Sequence, residues 1–296
     1  MNERLYTLKI SHLNELNTEE TKQAISSLES GKVIYLPNYP FTRQKDDAQL
    51  LSDKLLDGSH KNISFDYSRK KLGAFNALSD VANSKEALQQ FMQRFAEFAK
   101  ELVNQVCPHY KNALVWGRTS YRPAEIKNRH HLSKRKDDTR LHVDSFPGTP
   151  VYGHRILRVF SNINPVGESR VWNLGEPFSN VLSRFSNQIP AFSPLRSKFL
   201  YLIKATKKPR SAYDHYMINM HDLMKKDDEY QQTVPKNRVE FPPDSSWIVF
   251  TDHVSHAALS GQYVLEQTFY LPVEAMVDPE QSPLRHWEKI KASKLK

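Results

Sequence analysis

From about residue 114 onward the chain is written in short, strand-like runs, and this texture constrains the fold more than any other feature. The runs are "ALVWGRTSY", "RLHVDS", "RILRVFSNIN", "RVWNL", "AYDHYMINM", "RVEF", "SWIVFTD" and "YVLEQTFYL". They are rich in β-branched and aromatic residues and are separated by turn residues, as strands are. Helical inserts are expected between them at 179–185, 195–203 and 221–231. The first hundred residues read as mostly helical. Residues 17–30 form a helix that starts at Asn17, with Glu20 three positions later, and stops at Gly31. "KVIYLPNYPF" follows as a buried strand running into a proline turn. Residues 84–106 carry Leu88, Phe91, Met92, Phe95, Phe98, Leu102 and Val106 at helical spacing, and Pro108 closes the segment. That stripe is a core face. Many short strands after a helical layer predict an α+β fold, a closed or sandwiched β-core with helices packed outside.

Composition bounds the function. The 296 residues include 42 Lys and Arg against 33 Asp and Glu, a formal charge of +9. Such an excess favours anionic partners: nucleic acid, an acidic membrane surface, or a phosphorylated or carboxylated substrate. A generally basic protein with no such partner has the same composition. The single Cys107 excludes an internal disulfide framework and a cysteine-rich zinc site. The N-terminal stretch lacks an apolar segment of signal-peptide length, and no stretch approaches the roughly 20 apolar residues needed to span a bilayer. Membrane contact is therefore expected to be peripheral.

The chemistry centres on "RLHVDSF". Side chains two apart on an extended chain share a face, so His142 and Asp144 can grip one metal ion. An imidazole and a carboxylate suit a borderline divalent ion such as Fe(II), and one more histidine completes a facial triad with open positions. By itself the pair is close to chance among 12 histidines. A second match, His286-Trp287-Glu288, has no histidine after it and is set aside. The third ligand is expected from "TDHVSHAALSGQ", which offers His253 and His256. His256, followed by two small alanines, is preferred over His253 in the polar turn. His215 and His221 in "YDHYMINMHDLM" are rivals, read as core or capping histidines, with His221 opening a helix.

Taken together, "RLHVDSFP", "RILRVFSNINPVGESRVWNLGEPF", "YDHYMINMHDLMKKDDEYQ" and "VSHAALSGQYVLEQTFYL" resemble the Kdo hydroxylases. These belong to the iron(II)- and 2-oxoglutarate-dependent dioxygenases, and the resemblance runs from about residue 116 to 272. It implies a double-stranded β-helix, or jelly roll, with outer helices. The residues themselves read as one domain, 1–296, with a mainly helical N-terminal layer at 1–110, the core at 111–275 and a C-terminal tail or helix at 276–296. The resemblance also implies His142, Asp144 and His256 as ligands of Fe(II), with 2-oxoglutarate and O2 as cosubstrates. The substrate implied is the 3-deoxy-octulosonic acid sugar (Kdo) of lipid A precursors, hydroxylated at its 3-position during lipopolysaccharide biosynthesis. The expected location is cytoplasmic, peripheral on the inner face of the bacterial inner membrane, with no nucleic-acid partner.

The far carboxylate of 2-oxoglutarate needs a cation. Many relatives place it about ten residues after the last histidine, where this chain has Glu266-Gln267-Thr268. Arg158 is the first choice instead, with Asn162 on the same strand face; Thr268 and Tyr121 are assigned to the same pocket. Glu266 is expected to partner an inward arginine. The basic stretch before the metal pair, with Arg118, Arg122, Arg129, His130, His131 and Arg135, is assigned to reading an acidic sugar. "IKATKKPR" at 203–210 is a second basic patch suited to lipid headgroups. Two other readings stay open: an oxygenase for a different anionic substrate, and a non-catalytic basic binding protein on a β-scaffold.

Overall fold

The computed structural model describes residues 3–76, 84–127 and 133–296. Among these residues two β-sheets face each other and form the core of a jelly roll. The larger has eight strands in the order β1-β2-β9-β6-β11-β5-β3-β4. These are β1 Leu5–Thr7, β2 Val33–Leu36, β3 Ile63–Asp66, β4 Lys71–Gly73, β5 Val115–Arg122, β6 Arg155–Asn162, β9 Ser245–Phe250 and β11 Val264–Leu271. The smaller sheet runs β10-β7-β8, with β7 Arg170–Leu174, β8 Asn237–Phe241 and β10 His256–Ser260. Among the described residues seven α-helices surround the sheets: α1 Thr18–Glu29, α2 Ser84–Val106, α3 Phe178–Phe185, α4 Pro194–Leu202, α5 Ala212–Lys226, α6 Asp228–Thr233 and α7 Pro283–Lys291.

Alternation along β6 explains the layering. Leu157 and Val159 turn outward into an apolar cluster shared with α1, α2 and α5. Arg158 and Phe160 turn toward the smaller sheet, as period-2 geometry requires. Between the sheets, Trp247 stacks on Phe160 at 5.1 Å and on Phe241 at 4.1 Å, and Trp172 meets Phe160 edge-on. This aromatic plug packs beside the polar centre described below. Helix α1 begins with the expected capping box, Asn17 Oδ1 accepting from the Glu20 amide. It ends at Gly31, whose φ of +87° few other residues adopt without strain.

Three expectations are corrected. The N-terminal region is not only a helical layer, because β1 to β4 supply half of the larger sheet. Short strands such as "LYT" and "KLG" carry too few residues to show a period. "AYDHYMINM" is helix rather than strand: Ser211 caps α5, and Tyr213, Tyr216, Met217, Met220 and Met224 bury one helical face. Its aromatic content mimicked a strand, while its spacing was helical; His221 therefore lies within α5. Finally, "RLHVDS" makes only a single bridge, His142 to His256. The Gln231 side chain takes both backbone groups of Leu141, which stops the ladder from extending.

Candidate metal centre and cosubstrate pocket

The His142 bridge fixes the site. His142 N–H donates to the His256 carbonyl at 3.0 Å, and His256 N–H returns the bond to His142 at 2.9 Å. Two residues on, Asp144 N–H donates to the Thr251 carbonyl at 2.7 Å. These backbone bonds hold the ligand-bearing segment against the β9–β10 turn. One donor atom each from His142, Asp144 and His256 then lie within 4.8 Å of one another. Both rings are oriented alike. His142 Nδ1 pairs with the Arg140 carbonyl and His256 Nδ1 with the Val254 carbonyl, each at 2.8 Å. Each Nδ1 therefore carries the proton and leaves Nε2 as a lone-pair donor, the tautomer a metal ligand needs. Trp172 stacks on His256 at 5.0 Å and limits rotation of the ring.

Burial pushes His142 well below its ordinary pKa, helped by the neighbouring His256 and Lys225. Burial also lowers His256, against the opposing pull of Asp144. For Asp144, desolvation works to raise the pKa, but Arg158 and the two histidines hold it below the carboxylate range. All three groups are thus in their ligating protonation states near neutrality. His253 is likewise depressed by burial and by Arg155. Since the unfolded chain takes up protons on these histidines below about pH 6.5 and the folded chain does not, acid favours unfolding. The metal-free protein is expected to lose thermal stability as pH falls from 7 to 5. A melting temperature flat across that window would contradict this.

A polar network leads away from the triad. Arg158 Nη1 lies 3.2 Å from Asp144 Oδ2 and 3.2 Å from Glu266 Oε1. Arg122 approaches the other Glu266 oxygen through Nε at 3.1 Å and Nη2 at 2.8 Å. Glu266 thus does partner inward arginines. Its carboxylate stays ionised despite burial because Arg158 and Arg122 outweigh desolvation. A cavity of about 140 Å³ is lined by this network together with Asp138, Phe160, Arg170, Trp172, Ala258 and the two histidines. Trp172 Nε1 is buried without an acceptor among the described residues. A larger cavity of about 600 Å³ shares Asp138, His142 and Asp144 with the first. It is bordered by Lys61, Arg135, Arg196, Arg210, His221 and Lys225.

The remaining assigned residues fall in different places. Tyr121 does not reach the smaller cavity; it faces the other side of β5, with its hydroxyl donating to the Leu50 carbonyl at 2.9 Å and its ring against Phe91. Arg122, the next residue, points inward and joins the smaller cavity rather than the larger one. Asn162 serves the backbone: its Nδ2 donates to the Glu168 and Phe241 carbonyls, and its Oδ1 accepts from the Asn164 amide. Asn162→Ala is expected to cost about 1–3 kcal/mol of stability while leaving the KM for 2-oxoglutarate unchanged. A raised KM at unchanged stability would restore a cosubstrate role. Thr268 stands opposite Arg158 in register but lines neither cavity. Arg118 is exposed beside Asp66, while Arg135 pairs with Asp222 at the rim of the larger cavity. Arg129, His130 and His131 lie outside the described residues. His215 is held by the Pro190 carbonyl, and His221 meets His142 edge-on at 5.5 Å without joining the triad.

Sequence reasoning did not single out Trp172, Arg170, Asp138, Lys61 or Lys225. Alternation within "RVWNL" marks Arg170 and Trp172 as one strand face, so those two were within reach.

The family model for 3-deoxy-D-manno-oct-2-ulosonic acid (Kdo) hydroxylase matches residues 12–294. The chain belongs to the Kdo hydroxylase family. Membership extends well into the N-terminal region, where the motifs were uninformative. The chain is similar to the crystal structure of the Kdo hydroxylase KdoO, a non-heme Fe(II) alpha-ketoglutarate-dependent dioxygenase, in complex with alpha-ketoglutarate (2-oxoglutarate) and Fe(III). Identity is 40%, coverage is 99% of this chain and 97% of that one, and the TM-score is 0.93. The cobalt(II) complex of KdoO matches at 41% identity and TM-score 0.94, and the complex with succinate and Fe(III) at 41% and 0.93, both with the same coverage. No curated protein sequence matches the chain. Among the described residues no helix is long and apolar enough to cross a membrane.

Proposed function

We propose that this family member is an Fe(II)/2-oxoglutarate-dependent hydroxylase that converts the Kdo sugar of Kdo-lipid A at its 3-position. The observation that carries the reading is the convergence of His142, Asp144 and His256 within 4.8 Å beside an arginine-lined cavity. The donor set fits ferrous iron, with two Nε2 atoms and one carboxylate leaving other coordination positions open. When bound, iron with O2 and 2-oxoglutarate supplies the oxidising chemistry that inserts the hydroxyl oxygen.

The smaller cavity fits the cosubstrate in charge. Its lining sets Arg122, Arg158 and Arg170 against Asp138, Asp144 and Glu266, so the protein alone is balanced. A divalent ion leaves an excess matched by the 2-oxoglutarate dianion. Arg158 reaches both Asp144 and Glu266 and is the leading partner for the far carboxylate, with Arg122 and Arg170 beside it. The Trp172 indole N–H supplies a donor that lacks an acceptor among the described residues. Arg158 and Glu266 are buried and Arg122 and Asp144 half-buried, which strengthens each of these interactions relative to open solvent.

The larger cavity suits an acidic sugar, since Lys61, Arg196, Arg210 and Lys225 face it and it opens directly onto His142 and Asp144. The glycolipid would be met by peripheral contact at the anionic inner face of the membrane. The test is anaerobic addition of Fe(II) and 2-oxoglutarate, followed by air. A metal-to-ligand charge-transfer band and succinate release are expected; absence of both would end the oxygenase reading.

A further inference from the structure

Helix α4 departs from the rule that amphipathic helices bury their apolar face. Leu195, Phe199 and Leu202, at i, i+4 and i+7, share one face and are 80%, 58% and 77% exposed. Tyr201 and Ile203 are also at least half exposed. The inward side carries Ser197, which is buried with its hydroxyl donating to the Arg210 carbonyl at 2.8 Å. Arg196, Ser197 and Leu200 line the larger cavity. The same short helix therefore forms a wall of that cavity and presents an apolar stripe to solvent. A contiguous exposed patch of this kind marks an interaction surface.

The charge around the stripe is one-sided. Residues 177–213 contain seven Lys and Arg and no Asp or Glu. Lys198, Lys204, Lys207 and Lys208 are exposed around the apolar side chains. Leucine, isoleucine and aromatic residues inside a lysine rim match the interface of an anionic bilayer: apolar groups enter the acyl boundary while ammonium groups meet headgroup phosphates. A second copy of this chain fits less well, because a two-fold contact would press lysine rim against lysine rim.

We infer that α4 and the segment to Lys208 dock the protein on an anionic lipid surface, with the larger cavity opening beside the membrane plane. This deepens the glycolipid reading, on which it rests for purpose, but the test needs no substrate. Full-length protein is sedimented with vesicles of phosphatidylethanolamine and phosphatidylglycerol, and with phosphatidylcholine alone. Binding is expected to the anionic vesicles only, and to weaken with added salt. The exposed-site double variant Phe199→Ser/Leu202→Ser should reduce partitioning by roughly tenfold or more. Lys204→Glu/Lys207→Glu should reduce it at least roughly fivefold for each lysine. Both variants should hydroxylate detergent-dispersed Kdo-lipid A at the wild-type rate. Wild-type protein that ignores anionic vesicles, or variants that bind them unchanged, would overturn the docking surface. So would a dimer broken by the double variant with vesicle binding unaltered. Vesicle binding through α4 without any hydroxylation would keep the surface and remove the substrate reading instead.

Discussion

Replacing His256 with alanine is expected to abolish iron binding and turnover, whereas His253→Ala leaves iron binding intact. His256 brings its Nε2 to the site shared with His142 and Asp144, and its Nδ1 proton is already committed to the Val254 carbonyl. The loss should exceed the roughly 10–100-fold that follows removal of an outer-shell partner, since a ligand itself is removed. His253 lies in the same turn but packs against Phe178, beside Gly31 and His286, on the outer side of the sheet. Its variant should show reduced stability only. Metal content measured after iron loading separates the two, and iron lost from His253→Ala but kept by His256→Ala would reverse the ligand assignment.

Glu266→Ala is expected to destabilise the fold by about 3–5 kcal/mol, because it strands buried charge. Glu266 is only 2% exposed and is bracketed by Arg122 on one oxygen and Arg158 on the other. Its removal leaves two guanidinium groups in a water-poor pocket with Asp138 and Asp144 as the remaining acids. The metal ligands are untouched, so residual folded protein should still bind iron. Chemical denaturation of the metal-free variant against wild type reads the effect. A loss below about 1 kcal/mol, the scale of a surface ion pair, would mean that water or counterions already screen the network.

The legibility of this molecule followed period and motif. The pattern in 84–106 was strong because ten of its residues bury one helical face, and "RVWNL" was readable as a strand because its neighbours are turns. The strands β1, β3 and β4 have three or four residues each, too few for even the alternation in β3 to stand out; β1 and β3 are placed by pairing with the more distant β2 and β5, and β4 by folding back on β3. The same holds within the site. His142 and Asp144 were visible as a pair two apart, but His256 joins them only through a bridge spanning more than a hundred residues. Strand parity decided Tyr121 against Arg122: adjacent in sequence, they face opposite sides of β5, one toward Phe91 and α2, the other toward Glu266. Asn162 shares the inward face with Arg158, as expected, yet it sits at the strand end, where the turn after β6 claims its amide.

Hydroxylation of the Kdo sugar is tested by mass spectrometry of Kdo-capped lipid A precursor after incubation with the iron-loaded protein, 2-oxoglutarate and isotopically labelled O2. The Kdo sugar is expected to gain one oxygen atom, carrying the label, with one succinate formed per hydroxylation. Unaltered Kdo in a preparation that binds iron and releases succinate with another anionic acceptor would contradict that expectation.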